Sequence, residues 1–129
     1  MDADPLYQDK HGWNLGLRIF DIMLHIDLNK LDLAESMTAN LRRHVQRYAE
    51  EDSREMAMYR FLNTVCRCSF DFEEAAAEAC SSIARLENLE DWIPYSHEVI
   101  PYSIWIRAKR EDELPFELMV RTLLSDKGE

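Results

Sequence analysis

Glycine and proline are scarce in this chain, whose 129 residues include three glycines and four prolines. Tight β-hairpin turns and phosphate-binding loops depend on glycine, because it adopts the left-handed backbone conformation without a steric penalty. The scarcity therefore argues against an all-β fold and against a glycine-rich nucleotide site. The chain also lacks Walker, dinucleotide-binding and nucleophile-elbow motifs. We therefore predict that it is not an enzyme and that it has no catalytic residues and no cofactor.

Cysteine is equally scarce, with three residues, of which Cys66 and Cys68 lie inside a helical pattern. Two residues in this spacing point to nearly opposite faces of a helix, and a structural zinc site needs four ligands. Asp21 and His25 are four residues apart, and we interpret them as a solvated pair that stabilises its helix. We predict no metal site. The odd cysteine count and the absence of an apolar signal-peptide core predict a reducing compartment, by default the cytoplasm.

Positive charge is in the minority, with 15 Lys and Arg against 25 Asp and Glu and a net charge of −10. This balance works against nonspecific attraction to nucleic acid or to an anionic membrane surface. No apolar run approaches the roughly 20 residues that a membrane-spanning helix needs, so we predict no membrane association. Hydrophobic residues make up 47% of the chain, which predicts a folded domain rather than a disordered segment.

Apolar residues recur at helical spacing through most of the chain, which predicts an all-α fold. Residues 1–12 are polar, and we predict that they form a lead-in to a single helical domain over 13–129. Its predicted parts are two antiparallel hairpins over 13–49 and 53–87, an aromatic-rich connection over 88–100 and C-terminal helices over 101–129.

Each predicted helix has an apolar face, which in the first helix is wide enough for packing on more than one side, and two of the helices have a predicted N-cap. We predict Asp32 as the N-cap of the second helix and Asp52 or Ser53 as the N-cap of the third. A short helix should follow Pro101, because proline favours the first turn of a helix. The four hairpin helices are predicted over 13–28, 32–49, 54–67 and 72–86. The last helix is predicted over 115–124. The apolar stripe of the first helix consists of Leu15, Ile19, Ile22 and Ile26.

Two segments, 29–35 and 69–75, repeat one local design. Each follows an apolar helical stretch, and in each a bulky apolar residue is followed three positions later by alanine. A helical hairpin needs this arrangement, because the large side chain closes the turn and the small one lets the helices approach closely. The two pairs are Leu31 with Ala34 and Phe72 with Ala75.

The sequences of 18–21 (Arg-Ile-Phe-Asp), 33–36 (Leu-Ala-Glu-Ser) and 70–75 (Phe-Asp-Phe-Glu-Glu-Ala) resemble tetratricopeptide-type helical repeats. They resemble most closely the C-terminal end of long bacterial proteins built from such repeats. The resemblance covers roughly residues 13 to 86. It implies a short stack of antiparallel hairpins that forms binding surfaces.

Such arrays generally need three or more repeats for stability, and this chain has two hairpins. We therefore predict that it is the terminal part of a longer repeat protein, with an atypical C-terminal capping segment. The aromatic residues expected to cover the last hairpin are Trp92, Tyr95, Tyr102 and Trp105.

One basic cluster departs from the acidic average of the chain. Its members lie in the second half of the second predicted helix and in the third: Arg42, Arg43, His44, Arg47, Arg54 and Arg60. A cluster of this kind binds an acidic peptide or a nucleic acid backbone, or it is a solvated face whose positive charge complements a helix dipole.

We predict a non-catalytic protein-interaction or scaffold module whose partner binds between the hairpins, near the arginine cluster. The alternative is a nucleic-acid-associated regulator that uses the arginines of the cluster. A third hypothesis is a structural end-cap that has no ligand of its own.

Overall fold

The computed structural model describes residues 5–87 and 100–111, with side chains described from residue 14 onward. Within these ranges the chain is entirely helical, as the sequence predicts. The helices are α1 (Pro5–Asp27), α2 (Leu31–Tyr48), α3 (Arg54–Arg67), α4 (Phe72–Glu78), α5 (Cys80–Glu87) and α6 (Tyr102–Glu111).

The first helix begins earlier than its apolar stripe suggests. α1 starts at Pro5, so the prediction of a lead-in over 1–12 is wrong from that residue onward. Proline suits the first helical position, because its missing N–H would have no partner there. The predicted stripe is confirmed, and its members are all at most 5% exposed: Leu15, Ile19, Ile22 and Ile26.

α1 ends in a Schellman motif that turns the chain into α2. The amide of Lys30 donates to the carbonyl of His25 at 2.8 Å, and the amide of Asn29 donates to the carbonyl of Ile26 at 2.9 Å. Asn29 has a φ of 60°, the left-handed conformation that glycine usually supplies at this position.

α3 ends with the same motif, displaced by 40 positions. The amide of Phe70 donates to the carbonyl of Val65 at 2.8 Å, and the amide of Ser69 donates to the carbonyl of Cys66 at 3.2 Å. Ser69 and Phe70 have φ values of 53° and 65°. The two turns that the sequence pairs by their Leu/Ala and Phe/Ala motifs therefore share the Schellman hydrogen bonds and a left-handed first residue, whereas the next residue is left-handed at Phe70 and not at Lys30, where φ is −94°.

The helix caps are predicted only in part. Ser53 caps α3, and its hydroxyl accepts a hydrogen bond from the amide of Met56 at 3.1 Å. Asp32 is not the N-cap of α2, because that helix already begins at Leu31 and its N-cap is Lys30. Asp32 lies instead in the first turn, where its negative charge complements the helix dipole.

The helix predicted over 72–86 is divided at Ala79, where φ is −102° and ψ is 36°. The small side chains of this segment face the core and allow α4 and α5 to pack closely on α3. These side chains are at most 8% exposed: Ala75, Ala76 and Ala79.

α6 follows Pro101, as predicted, and packs against both α4 and α5. Tyr102 and Trp105 are each 1% exposed and belong to the main core. The ring of Phe72 lies between Phe61 and Trp105, with centroid distances of 6.2 and 5.7 Å. The predicted connection over 88–99, with Trp92 and Tyr95, and the predicted helix over 115–124 lie outside the described residues.

Candidate interaction surface

The members of the predicted basic cluster that belong to α2 lie on different sides of that helix. Arg42, Arg43 and Arg47 are exposed, and His44 is partly buried. Because successive helical residues are about 100° apart, Arg43 and Arg47 lie within about 40° of each other, whereas Arg42 lies about 140° from Arg47. Arg43 and Arg47 therefore share one side of α2, and Arg42 belongs to another flank. We refer to Arg43 and Arg47 as the arginine edge.

Arg54 and Arg60 of α3 do not extend this edge. Arg54 is only 6% exposed, and its guanidinium lies 3.5 Å from the carbonyl oxygen of Arg85. Arg60 forms an ion pair with Glu51. Arg54 thus contributes to the packing of α3, and Arg60 is already engaged by a carboxylate.

The structure adds Arg18 of α1, which sequence analysis missed. The pKa of His44 is lowered by its partial burial and by the nearby charges of Arg18 and Arg43. A signal for this neighbour exists in the sequence, because an antiparallel hairpin that turns at Asn29 brings residue 18 beside residues near 41. The basic character of α2 therefore continues across to α1.

A shallow groove of about 120 Å³ lies between α1 and α2 on this side of the hairpin. Its α1 wall includes Arg18, Asp21 and Ile22, and its α2 wall includes Met37, Asn40 and Leu41. Exposed polar groups and buried apolar groups alternate along it. The groove therefore offers both hydrogen bonding and apolar contact.

Exposed leucines accompany the groove. Leu17, Leu24 and Leu28 of α1 are 54%, 42% and 63% exposed. Their spacing of seven and four residues places them within about 40° of one another on the helix, on the same flank as the groove residue Asp21. We refer to these three residues as the leucine wall. Leu33, 48% exposed, lies across the turn at the start of α2.

The arginines of this hairpin have no carboxylate partner among residues 14–87 and 100–111. Arg18, Arg42 and Arg43 form no ion pair there, and the guanidinium of Arg47 lies 5.4 Å from the ring centroid of its neighbour Tyr48. Basic residues of α3 and α6 differ, because several are paired with carboxylates: Arg60, Arg67, Arg107, Lys109 and Arg110. Positive charge is thus left uncompensated on α1 and α2.

A second cleft, of about 520 Å³, lies between α5 and α6. Four of its charged groups are paired, because Arg110 donates to Glu73 at 2.7 Å and Arg107 lies 3.5 Å from Glu111; Glu87 also lines the cleft. The hydrogen bond to the carboxylate of Glu73 raises the pKa of Arg110. The cleft therefore offers less charge to a ligand than the α1–α2 hairpin does.

Cys66 and Cys68 have thiols whose pKa values are raised. The thiol of Cys68 donates to Glu78 at 3.1 Å, and this hydrogen bond raises the pKa of Cys68 to about 11. Burial raises the pKa of Cys66. Both shifts disfavour the nucleophilic thiolate at neutral pH.

Metal ligands are not gathered in the described part of the chain. No group of three or more His, Cys, Asp or Glu residues is arranged there to hold an ion. His25 Nδ1 lies 2.7 Å from the carbonyl oxygen of Asp21 and 3.3 Å from its carboxylate, as expected for a pair on one helix.

None of the helices in the described ranges combines the length and apolar character needed to cross a lipid bilayer. Comparison with protein-family models gives no match, and comparisons with curated proteins and with solved structures give none either. The tetratricopeptide resemblance therefore stays a prediction, and function has to be argued from the surface itself.

Proposed function

We propose that this chain is a non-catalytic protein-interaction or scaffold module that binds its partner on the α1–α2 hairpin. The observation that carries the proposal is that exposed leucines and arginines without carboxylate partners occupy the same two-helix hairpin. Exposed apolar side chains grouped on one face mark a site of association. Arginine is enriched at protein interfaces, where its planar guanidinium pairs with carboxylates in a defined geometry.

The repeat architecture belongs to the same proposal. The matching Schellman turns at Asn29 and Ser69 support two equivalent hairpins, and α6 covers α4 and α5 as a capping helix would. We propose that the chain is the capped end of a longer tetratricopeptide-like array. We keep the cytoplasm as its proposed compartment, and the three free cysteines agree with a reducing environment.

Nucleic acid binding is the second candidate, and the uncompensated arginines favour it. Arg18, Arg43 and Arg47 could contact phosphates in place of carboxylates. Two observations weigh against it: the chain carries a net charge of −10, and the arginines share the hairpin with exposed leucines, which contribute nothing to phosphate binding.

Affinity capture from native lysate, with and without nuclease, tests the proposal. The bait is the full chain, and the surface variant is Leu24→Glu with Leu28→Glu, which places charge on the leucine wall. The matched control is Ala77→Glu with Ala84→Glu, two exposed positions on α4 and α5. Mass spectrometry measures the bound proteins.

We expect one protein to be retained in stoichiometric amount by the wild type and by the control after nuclease, and lost with the leucine variant. Loss of all bound material on nuclease treatment would favour the nucleic-acid candidate. Equal capture by both variants would contradict the assignment of the α1–α2 surface.

A further inference from the structure

The groove between α1 and α2 has two unlike walls. On the α1 side, Arg18, Asp21 and Ile22 line the groove, and the leucine wall lies next to Asp21 on the solvent-facing side of the helix. On the α2 side, Leu33, Asn40 and Arg47 follow one another at intervals of seven residues, so they share one flank, and Asn40 lines the groove. Along this wall the side chain nearest the turn is the apolar Leu33, the next is the amide of Asn40, and the last is Arg47 of the arginine edge.

The length of the surface matches a short helix. Leu33 and Arg47 are fourteen residues apart on α2, which corresponds to about 21 Å at 1.5 Å per residue, or about four turns of a ligand helix. Helix-in-groove recognition uses an apolar face of this length with anchors at every third or fourth residue.

The charge of this surface indicates a second property of the ligand, its acidity. The chain as a whole is acidic at −10, so an acidic ligand is repelled by most of it. Arg18, Arg43 and Arg47 form no ion pairs within the described ranges and are the local exception. Carboxylates on a ligand would supply the charge-assisted hydrogen bonds that these guanidiniums lack.

We propose that the α1–α2 groove binds an amphipathic helix of a partner protein. The helix presents an apolar face to the leucine wall and a row of Asp or Glu side chains to the arginine edge. This inference rests on the proposed interaction function and names the chemical class of the partner.

A second copy of the chain fits this surface less well. It would present the same leucines and arginines, so this face of a second copy offers the arginine edge no row of carboxylates. The carboxylate that the groove itself contains, Asp21, lies 3.3 Å from His25 and is already engaged. A foreign acidic helix satisfies the arginine edge better.

Selection from a random peptide library displayed on phage tests the inference without knowledge of the natural partner. Peptides of about 16 residues, long enough for four helical turns, are selected against the full chain. We expect enriched sequences to combine apolar residues at i, i+3 or i+4, and i+7 with Asp and Glu along one side. Amide chemical shifts on binding should change around Leu24, Asn40 and Arg43.

Charge-reversal variants measure how much each arginine contributes to the affinity for a selected peptide. Arg43→Glu and Arg47→Glu should each weaken binding of a selected peptide by tenfold or more. Arg42→Glu makes the same change on the same helix but on another flank, and should weaken it less than threefold. All three positions are exposed, and far-UV circular dichroism verifies that each variant is folded.

Enrichment of peptides without acidic bias, shift changes confined to α4–α6, or equal losses for all three reversals would overturn the inference. A dimer in sedimentation velocity that Leu24→Glu abolishes would assign the face to a second copy and overturn it as well. A captured partner that contacts the hairpin through a neutral or extended segment would refute this inference alone. Selected acidic helices that bind as described, with no cellular partner captured, would refute the proposed function alone.

Discussion

The carboxylate of Asp27, at the end of α1, accepts hydrogen bonds from the indole N–H of Trp105 in α6. The donor lies 3.3 and 3.2 Å from the two carboxylate oxygens, across 78 positions of sequence. Lys109 also lies 3.0 Å from this carboxylate, and its ammonium is 5.7 Å from the ring centroid of Phe72. One acidic side chain therefore joins α6 to the first hairpin.

Asp27→Ala should lower the free energy of unfolding by about 1 to 3 kcal/mol, because it leaves a part-buried indole donor and a lysine without their acceptor. Urea unfolding followed by far-UV circular dichroism measures the change. Asp21→Ala is the control, since Asp21 is an exposed carboxylate of the same helix and should change stability by less than about 0.5 kcal/mol. Equal effects of the two variants would show that the contact with Trp105 is not stabilising.

Ala34 tests the small-residue half of the repeated motif. It has no exposed surface on α2, a helix that packs against both α1 and α3. Ala34→Leu should destabilise the fold by about 1 to 3 kcal/mol, because the added side chain overfills a close helix contact. Ala39→Leu places the same side chain on the exposed face of α2 and should be nearly neutral. If the Ala34→Leu and Ala39→Leu variants have the same midpoint of thermal unfolding, close approach of the helices at Ala34 is not required.

Sequence patterns identified the helices where caps and stripes coincide. α3 was predicted with its observed bounds because Ser53 caps it and a left-handed turn follows it. The start of α1 was missed because the polar run 8–11 and Gly12 separate Leu6 and Tyr7 from the apolar stripe, so no apolar periodicity extends back to Pro5. The break at Ala79 was missed because no glycine or proline marks it.

The candidate surface was predicted only in part, because it depends on tertiary neighbours. Arg54 looks like a solvated residue at the start of a helix, and only the packing of α5 against α3 buries it. Arg18 stands alone in sequence and becomes part of a basic surface because the hairpin brings it beside His44. Arg43 and Arg47 were found because they share one flank of one helix, which spacing alone determines.

Ser69 tests the left-handed turn after α3. Ser69→Gly should raise the free energy of unfolding by about 0.5 to 1 kcal/mol, because glycine adopts a φ of 53° without the steric penalty of a Cβ atom. Ser36→Gly, the same change at an exposed position inside α2, should lower it by about 0.5 to 1 kcal/mol. Equilibrium urea unfolding measures whether each variant has a higher or a lower free energy of unfolding than the wild type. A destabilised Ser69→Gly variant would contradict the assigned turn.

The pH dependence of the reactivity of Cys68 tests whether Glu78 raises the pKa of this thiol. The hydrogen bond to Glu78 raises the pKa of Cys68 to about 11, so the thiol stays protonated to a higher pH than an ordinary cysteine does. In a Cys66→Ser, Cys80→Ser background, the rate of reaction with a disulfide reagent should keep rising above pH 9. Glu78→Gln should move that rise to lower pH, because it removes the negative charge that disfavours the thiolate.

The control for this measurement is Glu74→Gln, which removes a carboxylate that acts on Cys68 through charge alone. It should shift the profile less than Glu78→Gln does. A pH profile unchanged by Glu78→Gln would contradict the hydrogen bond between these two side chains.

Site-specific photo-crosslinking tests the central claim, that the α1–α2 hairpin binds a protein partner. A benzophenone amino acid replaces Leu24 on the leucine wall in one variant and the exposed Ala77 of α4 in the other. After irradiation in living cells and nuclease treatment, we expect a discrete protein adduct from position 24 and none from position 77. No adduct from position 24, or the same adducts from both positions, would contradict the account.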